Sequence, residues 1–314
     1  MSDLNFSHTS VLLFECIESL NIRDGYTYVD CTTGGGGHSL EIAKRMGKNS
    51  RLICFDRDKN AIAAAGERLK DFLDQITFIN DNFSSLDSVL KELKIDNLGG
   101  VLADLGCSSH QFDVPERGFS YMHDAPLDMR MDTDAPLSAY NVVNEYSEND
   151  LKRIIFDYGE ERFAPRIAQR ICAARESAPI KNTLELAEII SSAIPQKYRY
   201  ESGNPAKRSF QAIRIEVNGE LDCIPKAIEE GAEMLNVGGR MSIISFHSLE
   251  DRLVKNGFQK LEKPCTCPSD FPVCVCGKKQ SVKIITRKPI LPSKEELEYN
   301  SRSHSAKLRV CEKI

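Results

Sequence analysis

No run of this 314-residue chain approaches the length and apolarity of a membrane-spanning segment, so no membrane partner is expected. The opening stretch Met1-Ser2-Asp3-Leu4-Asn5-Phe6-Ser7 has no basic region leading into an apolar one, and no secretory signal is expected. Positive charge is not in excess either. The 41 Lys and Arg against 46 Asp and Glu leave a net charge of −5, which excludes a global basic field. Any nucleic-acid surface must then be a local patch. Internal repeats and low-complexity tracts are missing, which sets aside solenoids and disordered linkers. Eleven cysteines without a secretory signal point to reduced thiols in a cytoplasmic protein rather than a disulfide framework. A chain of this size builds one large domain with an insertion, or two domains.

The segment Asp30-Cys31-Thr32-Thr33-Gly34-Gly35-Gly36-Gly37-His38-Ser39 carries the most information. It follows the strand-like Tyr26-Thr27-Tyr28-Val29 and precedes the helix-like Leu40–Met46. Four glycines at that junction let the backbone turn tightly and come close to a ligand. A second strand, Arg51–Phe55, ends in Asp56, where a carboxylate grips a ribose diol in nucleotide-type sites. The dinucleotide fingerprint G-x-G-x-x-G is broken: counted from Gly34 its last place falls on Ser39, and from Gly35 on Leu40. A strand end carrying an acid, Asp30, ahead of the glycines resembles the first motif of S-adenosylmethionine (SAM) methyltransferases, whose cofactor has no pyrophosphate to cradle. The alternative cofactor reading, an NAD-dependent oxidoreductase, has that broken fingerprint against it.

Strand patterns near 26–31, 51–56, 76–80 and 99–104 alternate with helix patterns near 38–47, 59–70 and 84–94, which predicts βαβ units on a parallel sheet. Residues 111–211 change character. A loop-like stretch at 114–136 leads into helix patterns near 137–146, 148–158, 160–176 and 183–193. Strand pattern returns at 239–246, 281–286 and 306–312, the last pair completing the sheet with an antiparallel edge. The expected organisation is a Rossmann-like α/β domain, residues 1–110 and 212–314, with an inserted all-helical domain at 111–211.

Ligands of such sheets sit beyond the carboxyl ends of the strands. After the third strand, Asn80-Asp81-Asn82-Phe83 offers polar groups for an adenine edge and a ring for its face; a helix N-cap with a hydrophobic staple is the competing use. Asp104-Leu105-Gly106-Cys107-Ser108-Ser109-His110-Gln111 follows the fourth strand, where the reacting end of the cofactor belongs. His247 follows the fifth, as a site residue or as part of a capped helix start involving Ser248 and Asp251.

Several strings are specific enough to identify a relationship. They include His8–Leu13, Gly35-Gly36-Gly37-His38-Ser39, Asp56-Arg57-Asp58, Asp104-Leu105-Gly106, Glu116–Ser120 and Pro126–Asp132. Tyr158–Arg162, Arg208–Glu220, Ile243–Arg252 and Ser301–Arg309 extend the match nearly end to end. The chain resembles the MraW (RsmH) family of bacterial 16S rRNA cytosine-N4 methyltransferases. The resemblance implies a class I SAM-dependent methyltransferase sheet with the helical insertion as substrate-recognition domain. It implies methyl transfer from SAM to N4 of cytosine 1402 of 16S rRNA, in the decoding region of the small ribosomal subunit. Carried over position by position, the cofactor contacts are Gly36, Gly37, His38, Asp56, Phe83, Asp104 and Gln111. His110 stands where the family pattern leads one to expect proline, a departure that bears on the backbone near Gln111.

The Asn/Asp-Pro-Pro-aromatic loop common in amino-methyltransferases is replaced here by Asp104-Leu105-Gly106-Cys107. The catalytic acceptors are thus left to Ser109, Asp113 or main-chain carbonyls of 105–109. Arg162, Arg166 and Arg170 recur every four residues, a row suited to RNA phosphates or, alternatively, a solvated face paired with Glu160 and Glu161. Lys207, Arg208 and Arg214 form a second basic group, and Arg302, Lys307 and Arg309 a third. Methyl transfer needs no metal. Cys265, Cys267, Cys274 and Cys276 nevertheless form a zinc candidate, the alternative being thiols in a mobile loop. A third reading of the whole chain is a non-catalytic ribosome-assembly factor keeping SAM as a structural ligand. The oligomeric state is left open, a homodimer being one possibility.

Overall fold

The structure, a computed structural model, describes residues 10–199, 203–268 and 275–314. The chain forms two compact units, one ending at Gly106 and resuming over Leu221–Ile314, the other spanning Cys107–Glu220.

The first unit begins with α1 (Leu13–Ser19), then alternates β1 (Thr27–Asp30), α2 (Gly37–Arg45), β2 (Arg51–Phe55), α3 (Lys59–Arg68), β3 (Ile76–Ile79), α4 (Leu86–Glu92) and β4 (Leu98–Asp104). The second unit holds α5 (Ser109–Asp113), α6 (Ala139–Glu145), α7 (Glu148–Asp157), α8 (Ala164–Arg175), α9 (Thr183–Ala193) and α10 (Lys207–Asn218). The chain then returns through α11 (Cys223–Met234), β5 (Leu235–Ser245), α12 (Ser248–Glu262), β6 (Val282–Ile284), α13 (Lys294–Tyr299) and β7 (Lys307–Lys313).

The seven strands lie in the order β3-β2-β1-β4-β5-β7-β6. β1 to β5 run parallel, and β7 runs antiparallel between β5 and β6. This is the Rossmann-like class I arrangement. Strand side chains alternate between two cores. Tyr28, Leu52, Cys54, Leu102 and Ile244 fill one face, and Val29, Ile53, Phe55, Val101 and Ile243 fill the other. Both faces are therefore covered, which is why β1 and β4 read as continuous apolar runs rather than half-polar ones.

The second unit has its own core, drawn from α6 to α10 and the segment before them: Met129, Val142, Ile154, Ile167, Ile190 and Ile213 are among its fully buried members. The expected boundary at 211/212 falls inside α10. That helix buries Phe210, Ile213 and Val217 in the second core and ends at Gly219 in the left-handed conformation, so the chain leaves the unit only after it. The predicted helix at 160–176 is shorter at its start. Glu160 has φ +48, and the Glu161 carboxylate accepts the Phe163 N–H at 2.9 Å, which holds off helical winding until Ala164. Helices α1, α5, α10, α11 and α13 fall outside the predicted set. No helix among the described residues is long and apolar enough to cross a membrane.

Candidate cofactor site

Three parallel strands end in carboxylates, and each meets a different fate. Asp30, at the end of β1, is fully buried and engaged. The Ser39 hydroxyl donates to its Oδ2 at 2.6 Å, and the Thr32 N–H to its Oδ1 at 3.1 Å. Burial holds its carboxyl above the usual range, against those hydrogen bonds. Ser39 is the place where the dinucleotide fingerprint would put its last glycine. Here the hydroxyl anchors Asp30 instead, so the break in the motif is a change of purpose.

Asp56, just past β2, closes the glycine turn. Its Oδ2 accepts the Gly34 N–H at 2.7 Å and its Oδ1 accepts the Asp58 N–H at 2.9 Å. Burial raises its carboxyl to about 6 in spite of those donors. Each carboxylate oxygen has a second lone pair beyond the one taken by these donors.

Asp104, ending β4, is the unsatisfied member. Its backbone N–H donates to Thr32 Oγ1 at 2.6 Å, but its Oδ1 is buried with no hydrogen-bond partner among the described residues. Burial, and then the charges of Asp30 and Glu250, push its carboxyl well up. A buried acceptor without a donor is costly unless a ligand supplies one, and a cationic ligand would relieve the mutual repulsion as well.

The turn between these acids is shaped by two glycines for different reasons. Gly36 has φ +76, and a Cβ there would press on Ala65 at 3.3 Å. At Gly37 the space a Cβ would need is occupied by the Ser10 hydroxyl. The Gly36→Ala variant is therefore expected to lose about 1–2 kcal/mol of stability. Denaturant unfolding checks this; an unchanged midpoint would mean that the turn relaxes freely. His38 lies behind the turn, buried, with Nε2 3.1 Å from the Val11 carbonyl. A carbonyl only accepts, so Nε2 carries the proton and Nδ1, 3.8 Å from Asp104 Oδ2, is the lone-pair side. Burial lowers the ring's proton affinity, which keeps it neutral.

Phe83 opens a short turn ahead of α4 and packs into the sheet's core. Asn82 caps it, accepting the Ser84 N–H at 2.9 Å, and Asn80 donates to the Asp56 and Arg57 carbonyls. The capping use of this segment is thus realised. At His247 it is realised too, with different partners from those expected: the capping box joins His247 to Glu250. Asp251 instead pairs with Arg309 at 2.6 Å and Lys307 at 3.4 Å. Two cations of the third basic group are spent there.

Gln111 belongs to the second unit, buried in α5, where its Oε1 accepts the Ser108 N–H at 3.1 Å. Ser109 and Asp113 bound the same short helix; Asp113 is exposed. Arg166 and Arg170 stand exposed one turn apart on α8. Arg162 precedes that helix and is not in its row; its guanidinium lies over the Tyr198 ring at 4.3 Å and the Phe163 ring at 4.8 Å. Arg214 is paired with Glu220 through two 2.9 Å contacts, and Arg208 lies 3.9 Å from Glu161. Sequence reasoning missed Glu296, which accepts the Leu12 N–H at 2.9 Å and so ties the segment behind His38 to α13.

The sequence pattern of the MraW methylase family matches residues 5–314. A protein named Ribosomal RNA small subunit methyltransferase H from Clostridium botulinum (strain Kyoto / Type A2) is 58% identical over 311 residues, covering 99% of this chain and 100% of that one. One of the same name from Finegoldia magna is 56% identical over 312 residues, with the same coverage. With a methyltransferase-type sheet, acids at three adjacent strand ends and a likeness that spans both chains, this protein belongs to the MraW methylase family.

Proposed function

We propose that this chain transfers a methyl group from SAM to the exocyclic N4 of a cytidine in 16S rRNA of the small ribosomal subunit, the position being cytosine 1402. The observation that carries the reading is Asp104: a buried carboxylate oxygen with no donor, beside two further acids and a neutral histidine. SAM brings an ammonium group and, when bound, supplies a methyl group on a positively charged sulfur. The chain's own residues do the rest. Asp104 accepts from the cationic amine, Asp56 holds the ribose diol, and Phe83, kept as an adenine contact on the strength of the resemblance, presents at most the rim of a ring otherwise packed in the core. Gly36 and Gly37, which make way for Ala65 and the Ser10 hydroxyl, set the tight turn that meets the cofactor. His38 backs the turn as a neutral ring. Gln111 is kept as a contact on the strength of the resemblance.

The N4 amine is a poor nucleophile because its lone pair is delocalised into the ring. Acceptors aimed at its hydrogens localise that pair and stabilise the developing positive charge. Holding the reacting atoms in line supplies most of the rest. Ser109, Asp113 or the carbonyls of 105–109 are proposed as those acceptors. Ser109→Ala with Asp113→Asn is expected to slow single turnover about 100-fold without weakening SAM binding. Wild-type rates in the double variant would leave the task to the backbone.

For RNA, Arg166 and Arg170 are the proposed phosphate contacts, with Arg162 offering a guanidinium already set against aromatic rings. Arg166→Gln with Arg170→Gln is expected to lower RNA affinity and to reduce the log–log salt slope by about 1–2. An unchanged slope would make the pair a solvated face.

The reaction is tested by incubating the protein with methyl-labelled SAM and small subunits from cells lacking its gene, then identifying the labelled nucleoside. N4-methylcytidine is the expected product. No label, with SAM still binding in calorimetry, would favour the assembly-factor reading.

A further inference from the structure

The segment joining α12 to β6 is pinched at its base. The Ser281 N–H donates to the Leu261 carbonyl at 3.1 Å, and the Ile284 N–H to Glu262 Oε1 at 2.9 Å. Between these anchors the chain makes a long excursion without helix or strand among its described residues, and none of those residues is buried. A loop of that length is uncommon in a compact unit unless something orders it.

Its described residues bring three sulfurs together. The Sγ atoms of Cys265, Cys267 and Cys276 all lie within 4.8 Å of one another, and Cys265 and Cys276 are 3.9 Å apart. Four ligands at the zinc–thiolate distance of about 2.3 Å form a tetrahedron whose edges are about 3.8 Å. The Cys265–Cys276 separation is such an edge. A disulfide would join two of these sulfurs and leave the third as an onlooker, whereas one metal ion uses all three. The Val275 N–H donates to Cys267 Sγ at 3.3 Å, the kind of outer contact that orients a metal-bound thiolate and supports its charge. In sequence the C-x-C spacing recurs at Cys274 and Cys276, so a further sulfur is within reach of the chain; Cys274 itself lies outside the described residues.

We propose that Cys265, Cys267 and Cys276 bind a structural Zn²⁺ as thiolates in a tetrahedral site that orders the α12–β6 excursion. Binding releases the thiol protons to solvent and changes no oxidation state. The site lies outside the residues assigned to methyl transfer, so the metal fixes a loop and takes no part in the reaction.

The test uses the full chain, produced without a metal-binding tag and dialysed against a weak chelator. Elemental analysis should find about one zinc per chain. Replacement by Co²⁺ should give the intense visible and thiolate charge-transfer absorption of a tetrahedral sulfur site. Cys265→Ser with Cys276→Ser should lower the zinc content about tenfold and abolish the cobalt spectrum, while SAM affinity and the thermal melt of the sheet stay near wild type. The retained SAM binding distinguishes loss of the site from loss of the fold. The proposal is overturned by metal-poor, cobalt-silent wild-type protein, by zinc retained in the double variant, or by thiol counting that finds a Cys265–Cys276 disulfide in freshly purified protein.

Discussion

Replacing Asp56 with asparagine is expected to weaken SAM binding roughly 10- to 100-fold at pH 8, the worth of charge-assisted hydrogen bonds to a diol. The effect should shrink by about tenfold at pH 5, because the wild-type carboxyl, raised to about 6 by burial, is by then mostly protonated. The sign matters. Folded Asp56 holds its proton more tightly than the unfolded chain does, so it favours folding in acid, and that contribution is lost as the pH rises through about 6. With Asp56 on the diol as proposed, cofactor binding draws on the ionised form and runs the opposite way. Wild-type affinity should therefore fall on acidification below about 6, and the asparagine variant should lack that part of the profile. Asparagine also returns only one acceptor to the Gly34 and Asp58 N–H groups, so melting the cofactor-free variant measures that separate cost. Calorimetric titrations at several pH values decide the matter. Equal affinities at pH 8 would remove Asp56 from the diol.

Arg214→Met is expected to destabilise the second unit by about 3–5 kcal/mol. The guanidinium and the Glu220 carboxylate meet in two parallel 2.9 Å contacts, and both side chains are largely buried, at 13% and 7% exposure. Removing one side chain takes two charge-assisted contacts from the other in a place that water reaches poorly. Replacing both, as Arg214→Met with Glu220→Leu, should recover a large part of the loss, since the remaining charge goes too. Guanidinium unfolding of the three proteins tests this. A single variant as stable as wild type would show that water reaches Glu220. The pair also engages two of Arg214's donors, Nε and Nη2, which is why Arg214 is not among the proposed RNA contacts.

What could be read from the sequence follows from how local the cause is. The seven strands announce themselves because strand pattern and burial are set by a few neighbouring residues. Asp30, Asp56 and Asp104 stand out because they end those strands. The capping of α12 by His247 and Glu250 is a local event as well, yet His247 at a strand end looks the same whether it faces a ligand or a helix. Arg162 misleads for a related reason: four-residue spacing implies a shared face only inside a helix, and α8 begins two residues later. The role of Glu296 is illegible, because its partner Leu12 lies 284 residues away and nothing near either residue signals the other.

The placement of β7 has a consequence for how this protein is made. The second unit is one continuous segment, with every part of its core on the nascent chain before β5 is translated. The first unit is split around it. Its sheet has an open edge at β5 until β7, about two hundred residues after β4, arrives to pair with it. An unpaired edge of that kind invites the wrong partner. The guest is thus ready to fold before its host, and the host closes last, by inserting a late strand between β5 and β6.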